Sequence, residues 1–160
     1  MIECRTGDIF KANVQALVNP VNCVGVMGAG LASQFKAAFP QNFYAYAKAC
    51  KQGQVQLGKM FIYRNQTELI NPQYIINFPT KKHWLNESRF QDIVAGLEAL
   101  KLVLQENYIS SVAIPALGCG LGGLEWSEVK PVTYQILQSL DIYIVLYEPW
   151  GKSTVHVKQL

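Results

Sequence analysis

A chain of 160 residues matches one compact domain, because single hydrophobic cores usually form at about 100–200 residues. Half of the residues are apolar and 16% are charged, which excludes a disordered tail or a solvated polyelectrolyte, and a net charge of +3 is too small to argue by itself for nucleic-acid binding. The start, Met1-Ile2-Glu3-Cys4-Arg5, lacks the pattern of a secretory signal and no apolar run is long enough to span a bilayer, so the sequence predicts a soluble, cytoplasmic protein without membrane partners.

The first strand is expected to end before Asp8, and a second, Ala16-Leu17-Val18, to end at Asn19-Pro20-Val21-Asn22. A glycine-rich stretch then opens a helical pattern through Ala32, Phe35, Lys36 and Phe39. A second short helix is expected over Phe43 to Lys51, with Pro40 and Asn42 breaking the chain before it and Gly53 after it. Met60 to Tyr63 and Tyr74 to Phe78 are rich in β-branched and aromatic residues between turn formers and read as strands. The clearest helix begins at Ser88, where Ser88 and Gln91 have capping-box spacing and Phe90, Ile93, Val94, Leu97, Leu100 and Leu104 recur at helical intervals. Ser111 to Ile114 is the next strand, Ser127 is expected to cap a helix reaching Leu140 with Pro131 near its start, and Ile142 to Tyr147 closes the sheet. Strands that alternate with helices and are apolar throughout predict an α/β fold of three layers, with a mostly parallel sheet covered on both faces.

Two glycine-rich loops, Gly25-Val26-Met27-Gly28-Ala29-Gly30 and Gly118-Cys119-Gly120-Leu121-Gly122-Gly123, each join a strand to a helix. Ligands of open α/β sheets bind at such strand ends, where backbone N–H groups and helix N-termini face anions, and glycine permits close approach to phosphate. Two such loops can hold one diphosphate. Neither ends in the Gly-Lys-Ser/Thr of a P-loop, and the first reverses the dinucleotide fingerprint, so an ATPase or a dehydrogenase is disfavoured. Asp8 is placed to accept from an adenine amino group, and Asn19 and Asn22 to hold ribose hydroxyls, although Asp and Asn are also ordinary turn residues. Cys4, Cys23, Cys50 and Cys119 form no C-x-x-C pair and read as reduced thiols, so neither a metal nor a cofactor is expected.

Gly7-Asp8-Ile9, Ala16 to Asn22, the first loop, and Pro115-Ala116-Leu117 leading into the second loop together resemble the macrodomain family. Asn22 to Ala32 with Gln34-Phe35-Lys36, Asn77-Phe78-Pro79-Thr80-Lys81 and Leu124-Glu125-Trp126 are most similar to its DarG-type antitoxin branch. The resemblance implies one macrodomain over residues 1–160, forming the N-terminal catalytic domain of a longer antitoxin, monomeric, that removes ADP-ribose from thymidine in single-stranded DNA and so reverses a DarT-type toxin. It implies that Asp8 and Ile9 engage adenine and that Asn22 holds the distal ribose; Tyr147 and Trp150, following the last strand, are placed to help form the adenine wall, with core packing an equal reading for Tyr147. It implies that Gly25, Val26, Met27, Gly28, Gly30 and Leu31 of the first loop, with Pro115, Leu117, Gly118, Cys119, Gly120, Leu121 and Gly122 of the second, enclose the diphosphate, and that Lys81 is catalytic. The related terminal ADP-ribose glycohydrolases pair their lysine with an aspartate in the second loop; Gly122 stands there in this chain, so the resemblance supplies no second catalytic group.

Cleavage at the anomeric carbon passes through an oxocarbenium-like state, and a lysine can attack that carbon if its amine is neutral, a form that Lys82 beside Lys81 would favour. His83 is close enough in sequence to protonate the departing base. Lys82, His83, Trp84 and Arg89 combine cations with an indole, a composition suited to a single strand, with stacking worth roughly 1–3 kcal/mol per base. Trp84 could equally cover the core. A non-catalytic reader of ADP-ribose, a hydrolase acting on ADP-ribosylated protein and a domain for another nucleotide are the alternatives.

Overall fold

The structure is a computed structural model and describes residues 1–66 and 70–149. Six strands form one sheet in the order β1-β6-β5-β2-β4-β3: β1 (Ile2–Arg5), β2 (Ala16–Val21), β3 (Phe61–Arg64), β4 (Tyr74–Pro79), β5 (Ser111–Ile114) and β6 (Tyr143–Tyr147). All neighbours are parallel except the edge pair β3 and β4. The helices are α1 (Gly30–Ala38), α2 (Pro40–Lys51), α3 (Phe90–Glu106) and α4 (Trp126–Leu137), with a 3₁₀ turn over Ile9–Lys11.

The central strands bury both faces, and alternate residues divide between two cores. Ala16, Val18, Ile76, Phe78, Val112, Ile114, Ile144 and Leu146 pack against α3 and α4, through Ile93, Leu97, Leu100, Val129 and Leu137. Leu17, Ile75, Ala113, Val145 and Tyr147 face the other way, toward Phe35 of α1 and Ile9. Beyond them, Tyr46 and Ala49 of α2 cover Val21 and Met27. This is the three-layer α/β arrangement expected. Helix α3 lies close over the sheet because Gly96 has no side chain: a Cβ there would stand 2.3 Å from Phe78 Cζ.

Several boundaries differ from expectation. Strand β2 continues through Pro20 to Val21, since its pairing with β5 involves only Ala16 and Leu17 and the missing N–H of Pro20 is not needed beyond them. Pro40 is the first residue of α2 rather than a breaker before it, where its fixed φ suits a helix start. Neither serine caps a helix. The flanking residue of α3 is Arg89 and that of α4 is Glu125, both without a side-chain capping bond; Ser127 lies inside the first turn of α4, and that helix stops at Leu137.

Candidate functional site

The parallel strands β2, β4, β5, β6 and β1 all end at one edge of the sheet. Because β2 and β5 are neighbours, the glycine loops that follow them emerge side by side, and β4 beyond β2 delivers Lys81 to the same edge. On the far side, β6 ends at Tyr147 and β1 leads to Asp8. The expected site residues are therefore strung across five adjacent strands, roughly 19 Å at the usual strand spacing.

Asn22 shapes the first loop. Its Oδ1 accepts from the N–H of Val24 (3.0 Å) and Val26 (3.4 Å), and its Nδ2 donates to Val26 O (2.8 Å). The Tyr46 hydroxyl lies 2.7 Å from Asn22 Oδ1 and 2.8 Å from Asn22 O; burial pushes its pKa far up, so it remains a donor. The Asn22 carboxamide is thus engaged within the protein at both ends, with Nδ2 keeping a second N–H beyond its bond to Val26 O. Tyr46 carries no local sign of this anchoring in the sequence.

Gly25 (φ +83°) turns where a Cβ would stand 3.5 Å from the α2 backbone, and Gly30 (φ +60°) begins α1. No side chain caps α1, so the first-turn N–H groups of Gly30, Leu31 and Ala32 have no side-chain acceptor. Val26 and Gly28 are exposed while Met27 is tucked inward, 2% exposed. Asn19 is fully enclosed: its Nδ2 donates to Asn77 Oδ1 (3.1 Å), which also accepts from Asn42 Nδ2 (3.1 Å). The structure places Asn19 beneath the cleft, in a buried amide cluster with Asn42 and Asn77, and not along its wall. Only the three-dimensional pairing of β2 with β4 and α2 assembles that cluster, which the sequence reading did not find.

In the second loop, Gly118 (φ +75°) and Gly123 (φ +83°) make the turns, and Leu124 N–H bonds Gly118 O at 2.9 Å. The N–H groups of Gly120, Leu121 and Gly122 donate to no protein carbonyl among the described residues. Pro115, Leu117 and Cys119 are buried, leaving Gly120, Leu121 and Gly123 as the exposed surface of the loop. Gly122 admits no side chain: a Cβ would stand 2.3 Å from Ser88 Oγ and 2.6 Å from Gly118 O. The loops touch across the cleft, Leu121 Cδ1 lying 3.4 Å from where a Cβ on Gly30 would be.

Lys81 lies two residues beyond Pro79, the last residue of β4, and its segment is held from both sides. Thr80 N–H donates to Val21 O (2.8 Å), and Cys23 N–H donates to Lys82 O (2.9 Å), extending the β2–β4 register past the strand ends. Lys81 is half-buried, beside the start of the first loop. Lys82 and Arg89 are exposed. Trp84 is 51% exposed and its ring leans on His83 with centroids 5.1 Å apart, so it does not cover the core. His83 Nδ1 accepts from Leu85 N–H (3.1 Å), which leaves Nε2 as the nitrogen to carry a proton.

At the other end, Asp8 is exposed and accepts from Phe10 N–H (2.9 Å) with Oδ1, while Ile9 and Tyr147 are 4% and 8% exposed and belong mainly to the core. Trp150 lies outside the described residues. Burial pushes the Cys23 thiol up to about 11, and Cys50 is raised in the same way, so neither is a reactive thiolate at neutral pH. No helix among the described residues is long and apolar enough to cross a membrane, and no three metal-ligating side chains among them cluster.

The Macro domain family model matches residues 18–133. A DNA ADP-ribosyl glycohydrolase from Thermus aquaticus is 47% identical over 157 residues, which are 98% of this chain and 43% of that protein. The chain therefore spans less than half the length of the DNA ADP-ribosyl glycohydrolases it matches. Among solved structures, the macrodomain of Mycobacterium tuberculosis DarG superimposes with a TM-score of 0.90 at 50% identity, covering 93% of this chain and 98% of that one. Thermosipho africanus DarTG in complex with ADP-ribose gives 0.89 at 39% identity, covering 94% and 42%. With both loops placed as the motifs required, the chain belongs to the macrodomain family.

Proposed function

We propose that this macrodomain removes ADP-ribose from thymidine in single-stranded DNA and so reverses a DarT-type toxin, as the catalytic part of a longer, monomeric, cytoplasmic antitoxin. The observation that carries the reading is the meeting of the two glycine loops at Gly30 and Leu121, with Lys81 held one strand away. It is supported by the relatives named as DNA ADP-ribosyl glycohydrolases and by the DarTG complex with ADP-ribose.

On this reading the ligand lies along the strand ends. Asp8, Ile9 and Tyr147 form the adenine end, and the open N–H groups of α1 and the second loop hold the pyrophosphate. The loop built on Asn22 seats the distal ribose beside Lys81. As the bond from the anomeric carbon to the thymine nitrogen breaks, its electron pair leaves with the base, which takes its proton from water. The Lys81 amine adds to the anomeric carbon, ring opening gives an imine, and water hydrolyses it to free ADP-ribose and the amine. Trp84 and the cations Lys82 and Arg89 supply a stacking face and phosphate contacts for the strand.

The test is incubation with thymidine-ADP-ribosylated single-stranded DNA and, separately, with peptides ADP-ribosylated on Glu, Ser or Arg. Release of ADP-ribose from the DNA is the expected result. Release confined to peptides would replace the substrate, and binding without any release would make the chain a reader.

A further inference from the structure

Among the described residues, two buried side-chain polar atoms lack a hydrogen-bond partner: Asn19 Oδ1 and Ser88 Oγ. Each lies beneath one glycine loop. Asn19 sits under the first, its Nδ2 3.8 Å from the sulfur of the inward-facing Met27. Ser88, 6% exposed, sits inside the second: its N–H donates to Gly122 O (2.9 Å), and its Cβ lies 3.2 Å from where a Cβ on Gly118 would stand.

A buried hydroxyl without a partner has lost its water and gained nothing, so it destabilises the free protein. Helix capping does not account for it, because α3 has no side-chain cap. Space filling does not either, since alanine would occupy the position without the polar atom. A separate observation concerns Gly120, which has neither a positive φ nor any atom within 4 Å of an added Cβ. The present conformation makes no demand for glycine there, so its freedom serves a different one. Its neighbour Leu121 rests against Gly30, and a pyrophosphate entering between the loops must move that contact.

The geometry points to Ser88 as a positioning residue whose hydroxyl is satisfied only in the ligand-bound state, when the second loop turns N–H groups toward the pyrophosphate and a carbonyl of residues 118–122 toward Ser88. Asn19 Oδ1 stands in the matching place under the first loop, as an acceptor for an N–H of that loop. Ligand binding then completes hydrogen bonds that the free protein lacks, and the second loop is held closed from below. This rests on the reading of the cleft as an ADP-ribose site.

The experiment is Ser88→Ala, followed by thermal unfolding with and without ADP-ribose and by calorimetric titration with ADP-ribose. The free variant should melt higher than wild type by about 2–4 °C, while its Kd for ADP-ribose rises about tenfold and its ligand-induced Tm shift shrinks. A purely structural serine would instead lower the free Tm or leave affinity unchanged, and either result overturns the inference. Wild type that binds normally beside a Ser88→Ala variant of equal affinity sinks this inference alone. Wild type that binds no ADP-ribose sinks the function reading and this inference together.

Discussion

Leu121, 70% exposed, rests its Cδ1 against Gly30 across the cleft, 3.4 Å from the place a Cβ would take. Once the loops part to admit a pyrophosphate, an apolar side chain standing at this mouth would shield the bound anion from water. Leu121→Ala should therefore speed ADP-ribose dissociation about fivefold to tenfold, while changing stability by no more than about 0.5 kcal/mol, the usual range for an exposed site. Stopped-flow displacement of a fluorescent ADP-ribose analogue measures the rate. An unchanged off-rate would show that Leu121 is not a cover.

Lys81→Ala separates chemistry from binding. The backbone bonds that hold this segment come from Thr80 N–H, Cys23 N–H and Lys82 O, so removing the side chain leaves the scaffold intact. Release of ADP-ribose from modified DNA should fall by more than about 100-fold, as for loss of a group acting in the chemical step. Affinity for free ADP-ribose should stay within about threefold. Retained turnover would remove Lys81 from the mechanism.

Asn77 is the centre of the buried amide cluster. Its Oδ1 accepts from Asn19 and Asn42, and its Nδ2 donates to Asn42 Oδ1 (2.8 Å) and Phe61 O (3.0 Å). Asn77→Ala leaves several enclosed polar groups unpaired and should cost about 2–4 kcal/mol in urea unfolding. A loss below about 1 kcal/mol would mean that the cluster is not a stabilising unit.

Glu148 gives the fold a measurable acid response. The Trp126 Nε1–H bond (2.8 Å) and then Lys130 Nζ (3.0 Å) hold its carboxyl below the ordinary value of 4.5, against the opposing effect of burial. A depressed native pKa contributes stability that is present above pH 4.5 and is lost as pH falls through the native value. The same pair raises Lys130, whose contribution is present below its ordinary value of 10.5 and is lost as pH rises through the native one. Glu148→Gln should flatten the Tm profile between about pH 5 and pH 3. A profile parallel to wild type over that interval would show that the pair contributes nothing to acid stability.

The layered architecture was legible because its cause is local and repeated. Val112, Ala113 and Ile114 are apolar in succession since both faces of the strand are covered, and Ile93, Leu97, Leu100 and Leu104 recur with the helical period since one stripe meets the sheet. The glycine loops could be picked out by their chemistry, and Lys81 only by likeness to a family. Ser88 could not be read correctly, because its capping-box spacing is a local signal and the loop around Gly118 and Gly122 is a distant partner that claims its side chain.

By itself, the sequence determined the elements, the α/β class and the residue types able to meet a diphosphate, because propensity, period and turn chemistry act over a few neighbouring residues. Strand order belonged to the tertiary structure alone. Pairing β2 with β5 on one side and β4 on the other sets the two loops and Lys81 side by side, encloses Asn19 with Asn77 and Asn42, and presses Ser88 under Gly122. Such contacts join residues tens of positions apart and exist only once the chain has closed, so no window of sequence contains them.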